Sequence, residues 1–197
     1  MNTSDLKQEF TKAFDTKPER VFFSPGRINL IGEHTDYNGG HVFPCAITIG
    51  TYGVYAPRTD TAVRMYSANI PDAGIVTFDV NDLSYDKAAG WTNYPKGMMD
   101  EIAKTGVKFD HGFDFYVHGN MPDGAGLSSS ASIELLTGIM LNTGFNLGIS
   151  QLDLVKIGQK CENNYVGVNS VIMDQFAVGM GKKDQAILLD TNTMDYS

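Results

Sequence analysis

Leu6, Phe10, Ala13 and Phe14 recur at helical spacing, so the first fifteen residues read as one amphipathic helix laid on the body of the protein. Val21-Phe22-Phe23 predicts a short strand running into a turn at Ser24-Pro25-Gly26, and the alternation from Arg27 to Ile31 predicts a half-buried strand after it. Tyr37-Asn38-Gly39-Gly40 carries a hairpin-type Asn-Gly signal. The β-branched and aromatic stretch from His41 to Ala56, broken by Pro44, predicts two strands with a bend, and further strands are expected at Ala62–Ser67 and Ile75–Val80. Helical patterns come later. Pro95 opens one with Met98, Met99, Ile102 and Ala103 as its apolar stripe, and Leu135/Ile139 with Leu136/Met140 mark another from Ser129 to Asn142. Ser150 with Asp153 resembles a capping box that opens a helix to about Tyr165, and Met173 to Val178 predicts one more. Gly112–His118 reads as an alternating strand and Ala186–Asp190 as a buried one. The order is mixed α and β, with no internal repeat and no linker to divide residues 1–197.

Composition narrows the class of protein. With 42% apolar and 11% aromatic residues in 197 positions, the chain can bury a core. The net charge of −8 argues against nucleic acid or an anionic membrane surface as partner, since both require a basic footprint. Cys45 and Cys161 stand far apart in apolar surroundings, which fits a reducing cytosol rather than a disulfide framework. No export signal and no uncharged run of membrane-spanning length is expected, so a cytoplasmic location follows. The chain stops seven residues after its last predicted strand, as a piece of a longer protein would.

Three segments carry chemistry. In Met121-Pro-Asp-Gly-Ala-Gly-Leu-Ser-Ser-Ser-Ala131, between a strand and a helix, Gly124 and Gly126 allow close backbone approach, and the helix start with Ser128, Ser129 and Ser130 offers donors to phosphate oxygens. The plain alternative, a Gly/Ser turn that only caps a helix, is weakened by three consecutive serines. A Walker A loop and a dinucleotide fingerprint are both absent. In Ser24–Gly40, the groups Arg27, Asn29, Glu33, His34 and Asp36 crowd one segment and suit the several hydroxyls of a sugar; adjacent Glu-His does not match a zincin spacing. In Cys161–Phe176, Glu162 falls late in a helix and Asp174 at the start of the next, where it serves either as helix cap or as base.

Taken in order, these motifs resemble those of the galactokinases, within the GHMP small-molecule kinase superfamily, and the likeness runs from the first helix to the last strand. The resemblance implies an α+β fold of the GHMP kinase N-terminal type, with mixed sheets packed against helices. It implies ATP:D-galactose 1-phosphotransfer with Mg²⁺. Asp174 would be the base and Arg27 its counter-charge and the stabiliser of the γ-phosphoryl; Glu33, His34, Thr35 and Asp36 would bind the sugar. Gly124, Ala125, Gly126, Leu127, Ser128, Ser129 and Ser130 would cradle ATP, Ser67 and Trp91–Tyr94 would lie near the nucleotide, and Ser130 with Glu162 would hold Mg²⁺.

Two departures stand out. Val171-Ile172 stands where the family has Gly-Ile, and a β-branched residue in a glycine-only conformation would be strained. The length is about half that of the family, which leaves completion by a separate chain or self-association, a frameshift and a partial sequence as open explanations, and an exposed apolar face is expected where the second lobe packed. The competing readings are a galactose- and ATP-binding sensor without turnover, an inactive fragment, and a kinase for a neighbouring sugar such as N-acetylgalactosamine.

Overall fold

Asn2 caps the first helix, α1 (Thr3–Phe14), by accepting from the Asp5 amide at 2.9 Å, while the Asp5 carboxylate returns the contact to the Asn2 N–H. Leu6, Phe10 and Phe14 point from α1 onto Val54, Ala56 and Tyr116 of a sheet. That sheet is built from β1 (Arg20–Asn29), β3 (Pro44–Pro57), β4 (Ala62–Ser67), β5 (Val76–Asp79) and β6 (Phe113–Gly119) in the order β1-β3-β6-β4-β5. Only β4 and β6 run parallel. A computed structural model gives this architecture for residues 2–32, 34–122 and 124–197.

On the opposite face, Tyr55, Met65, Phe113, Phe115 and Val117 meet α2 (Asn93–Ala103) and α3 (Ser129–Gly144) in the main core. Strand β6 is therefore buried on both faces along most of its length, where simple alternation had been expected, because helices cover the sheet on both sides. Asp114, fully buried on the α1 side, is satisfied by Arg64 at 2.7 Å and Arg58 at 3.2 Å. A second core joins α3 to α4 (Gln151–Lys160) and α5 (Met173–Met180), and to the two-stranded pair β2 (His41–Val42) and β7 (Leu189–Asp190).

Four local expectations change. The turn at Ser24-Pro25-Gly26 is instead an irregularity inside the single strand β1, where the register against β3 shifts between Pro25 and Arg27. The Asn-Gly signal is part of a 3₁₀ turn, Asp36–Asn38, closed by Gly39 at φ 71°. The helix from Ser150 ends at Lys160 and continues as a π-helical turn, Cys161–Val166. The last strand contracts to Leu189–Asp190. At one end of β1 and just beyond it, Ile28, Leu30 and Ile31 lie exposed, Ile31 by 67%. No helix among the described residues is long and apolar enough to cross a membrane.

Candidate active site

The β1 irregularity aims Arg27 at the loop between β6 and α3. Gly26 makes this approach feasible: a Cβ there would stand 2.9 Å from the Leu127 carbonyl and 2.6 Å from the Met121 sulfur. Arg27 donates its backbone N–H to that Leu127 carbonyl at 3.1 Å and its Nη1 to the Gly126 carbonyl at 2.6 Å. Below, Ser132 ties the first turn of α3 to the sheet, its hydroxyl lying 3.0 Å from the Ser24 carbonyl and 2.9 Å from the Thr51 hydroxyl.

Asp174, in the first turn of α5, meets this assembly. Its Oδ1 accepts from Arg27 Nε and pairs with Nη2, each at 2.8 Å, and its Oδ2 accepts from the Ser128 hydroxyl at 2.5 Å. Ser128 holds the left-handed conformation at φ 58°, so it enters α3 without capping it and turns its hydroxyl to Asp174 instead. Such strain in a non-glycine residue costs of order 1–3 kcal/mol and persists where surrounding contacts over-determine it. Gly124 and Gly126, at φ 68° and 67°, shape the rest of the loop. Arg27, Asp174, Gly124, Ala125, Gly126, Leu127, Ser128, Ser129 and Ser130 together line a hollow of about 330 Å³.

A neighbouring cleft of about 440 Å³ shares Met121, Ser129 and Ser130 with it and is walled by Ser67, Trp91 and Tyr94. The buried Trp91 Nε1 has no partner there. The two hollows thus lie side by side at the start of α3, a polar one next to an aromatic one.

The 34–36 segment stands apart. The Thr35 hydroxyl lies 2.7 Å from the Gly32 carbonyl and 2.8 Å from that of His41, within its own loop. His34, at φ 62°, is exposed and its Nδ1 meets the Tyr37 hydroxyl at 2.8 Å. Asp36 accepts from the Tyr37 amide. No hydrogen bond joins these three to Arg27 or Asp174 among the described residues, and Glu33 lies outside those residues. Val171 is not among the positive-φ positions, so the backbone strain expected of it does not arise.

Glu162, 5% exposed, sits in the π-helical turn, where its Oε2 accepts from Gln175 Nε2 at 2.7 Å. The same nitrogen donates to Glu134 Oε2 at 3.0 Å. Sequence reasoning passed over Glu134 and Gln175; the visible signal was an acidic residue set among Ile133, Leu135 and Leu136 of a helix. Burial first, and the Glu162 charge second, push the Glu134 carboxyl up to about 9, so it keeps its proton at neutral pH. Burial likewise pushes the Cys161 thiol up.

Of the two expected Mg²⁺ donors, the Ser130 hydroxyl lines both hollows and the Glu162 carboxylate lies buried against Gln175, outside the lining of either; both are hard oxygens. No group of three or more His, Cys, Asp or Glu suited to a metal occurs among the described residues. A hydroxyl and a carboxylate suit an ion that takes one or two protein oxygens and completes its shell with phosphates and water.

Comparison with known proteins follows the same lines. Residues 8–57 match the family described as the galactokinase galactose-binding signature, and residues 93–182 match the GHMP kinases N terminal domain. Over all 197 residues the chain is 98% identical to a galactokinase of Lactiplantibacillus plantarum, and it is 59% identical to one of Levilactobacillus brevis, covering 51% of each. The Lactococcus lactis galactokinase, solved in complex with galactose, superposes with a TM-score of 0.94 at 49% identity over 98% of this chain and 50% of its own. The Methanococcus jannaschii mevalonate kinase shares the fold at a TM-score of 0.77 and 17% identity, over 90% of this chain and 55% of its own. The chain spans about half the length of the curated relatives it matches. With both family matches, the identity to curated galactokinases and this superposition in agreement, the chain belongs to the galactokinase family of GHMP kinases and corresponds to the N-terminal half of its relatives.

Proposed function

We propose that this chain carries the N-terminal share of an ATP-dependent D-galactose kinase site, forming galactose 1-phosphate and ADP. The observation that supports this best is the Arg27–Asp174–Ser128 cluster at the mouth of the Gly-Ser loop. Asp174 takes the proton of the anomeric hydroxyl; that oxygen forms its bond to the γ-phosphorus as the bond from phosphorus to the β–γ bridging oxygen breaks, and ADP leaves with the electron pair. Arg27 orients the Asp174 carboxylate and offers positive charge to the transferring phosphoryl group, which spreads negative charge over its equatorial oxygens. Ser128 holds the second carboxylate oxygen, so the base has one fixed orientation.

The loop Gly124–Ser130 takes the ATP phosphates through backbone N–H groups and the positive end of α3, and Ser67 with Trp91 borders the nucleoside. Glu33, His34, Thr35 and Asp36 contact the sugar hydroxyls. Ser130 and Glu162 would hold Mg²⁺, which would neutralise phosphate charge when bound. Residues 1–197 act as one galactose- and ATP-binding domain, and the partner wall of the cleft comes from a further lobe.

The test is coupled ADP release by the chain with Mg·ATP, with and without D-galactose, beside Asp174→Ala. Galactose-dependent release that disappears in the variant is the expected result. Binding of both ligands without release, unchanged by the substitution, overturns turnover by this chain and leaves a sensor. N-acetylgalactosamine in place of galactose gives the specificity control.

A further inference from the structure

Three elements converge on one buried amide. Gln175, fully buried, follows Asp174 directly on α5; Glu134, fully buried, lies one helical turn beyond Ser130 on α3; Glu162 sits in the π-helical turn after α4. An amide nitrogen has two hydrogens, and Gln175 Nε2 spends one on each carboxyl group, at 3.0 Å to the neutral Glu134 acid and 2.7 Å to Glu162. Gly158 on α4 leaves room for this: a Cβ there would stand 3.1 Å from Gln175 Cγ and 3.6 Å from Glu134 Oε2.

The arrangement is a poor choice for stability alone. Gln175 Oε1 and Glu134 Oε1 are both sealed from solvent without a partner, and an orphaned buried polar atom is destabilising. Apolar residues of the same shape would remove both orphans. What they could not do is fix the plane of the Glu162 carboxylate, which a donor anchored on its far side by Glu134 does. The same anchored side chain stands next to Asp174, so one clamp links the starts of α3 and α5 to the π-helical turn.

We propose that Gln175 and Glu134 are positioning residues, the Gln175 amide, braced by Glu134, orienting the Glu162 carboxylate toward the metal that accompanies the nucleotide. This rests on the proposed assignment of Glu162 to Mg²⁺. Groups that orient a ligating carboxylate are typically worth roughly 10- to 100-fold in metal affinity.

The experiment is calorimetric titration of the chain with ATP in excess Mg²⁺ and with ATP in EDTA, which isolates the gain in affinity due to the metal. Glu162→Gln serves as reference and thermal melting as the folding control. Gln175→Met should lower the gain roughly 10-fold or more while leaving affinity for metal-free ATP unchanged, a split that general loosening of the fold would not produce. Glu134→Gln, which keeps an acceptor for the clamp, should retain the gain, whereas Glu134→Leu should lose it; this pair decides the matter if Gln175→Met does not fold. Loss in Glu162→Gln but not in Gln175→Met or Glu134→Leu overturns the inference and leaves the metal assignment standing. No loss in Glu162→Gln, or no gain in the unsubstituted chain, overturns that assignment and the inference together.

Discussion

Replacing Glu134 by Gln makes the electrostatic reading of this core measurable. The Glu134 carboxyl is fully buried, one oxygen accepts from Gln175, and its neighbours include Glu162, Asp174 and the Cys161 thiol. Burial and the Glu162 charge raise it from 4.5 to about 9. Between those values the folded protein retains a proton that the unfolded chain releases. The native state then binds more protons, so stability is fully present below pH 4.5 and falls as pH rises toward 9. The slope for one such group is about 1.4 kcal/mol per pH unit. From pH 5.5 to 7.5 this amounts to about 3 kcal/mol, and for a chain of this size each kcal/mol moves Tm by about 2–4 °C. Gln mimics the protonated acid and does not titrate. The assay is urea unfolding of both proteins at several pH values in this range. Titration of histidines and surface acids is common to both and cancels in the difference. Wild type is expected to lose ground to Glu134→Gln steadily as pH rises. A difference that stays constant from pH 5.5 to 7.5 would refute the claim that Glu134 is held neutral.

Three further substitutions probe the scaffold around the site. Ser132→Ala removes the hydroxyl shared by the Ser24 carbonyl and the Thr51 hydroxyl; a loss of about 1–3 kcal/mol in urea unfolding is expected, with the far-ultraviolet spectrum unchanged. Phe10→Ala empties a fully buried site between α1 and the sheet and should cost about 3–5 kcal/mol by the same assay; a cost under 1 kcal/mol would mean that α1 does not seal this face. Gly50→Ala would set a Cβ 2.1 Å from the Ser24 carbonyl oxygen and 2.7 Å from Pro25 Cα. Because backbone rather than a flexible side chain is in the way, destabilisation at or above the roughly 1–3 kcal/mol of an overpacked core is expected in thermal melting.

Elements defined by their own periodicity were legible in the sequence. Helix α1 matches its stripe because the three residues that pack on the sheet are also the ones that recur every three to four positions. Elements decided by a partner were not. Pro25 and Gly26 look like a turn, yet β1 continues through them with a shift of register, because Gly50 opposite has no side chain to block the pairing. The Asn-Gly pair at 38–39 ends a 3₁₀ turn rather than a hairpin, since Thr191, far along the chain, sets its hydroxyl near the Asp36 and Gly40 carbonyls. Arg27 and Asp174 were each visible as polar residues in suggestive settings, but they are 147 positions apart, and no local pattern encodes their contact.

The serines after Gly126 show where sequence reading stops in physical terms. Ser128, Ser129 and Ser130 were expected to share a role as phosphate donors, and Ser132 is the same residue type two positions further on. Their separation follows from where helix α3 starts. Ser128 precedes the first helical residue and is left-handed, which swings its hydroxyl back to Asp174. Ser129 and Ser130 occupy the first turn, where backbone N–H groups lack partners within the helix, and they line both hollows. Ser132, a further half turn along, faces inward and binds the helix to β1 and β3. Moving the helix start by one residue would rotate each hydroxyl by about 100° and exchange these positions. The helix boundary is thus part of the site's chemistry, and it is held by contacts from Arg27, Ser24 and Thr51 that lie far away in sequence.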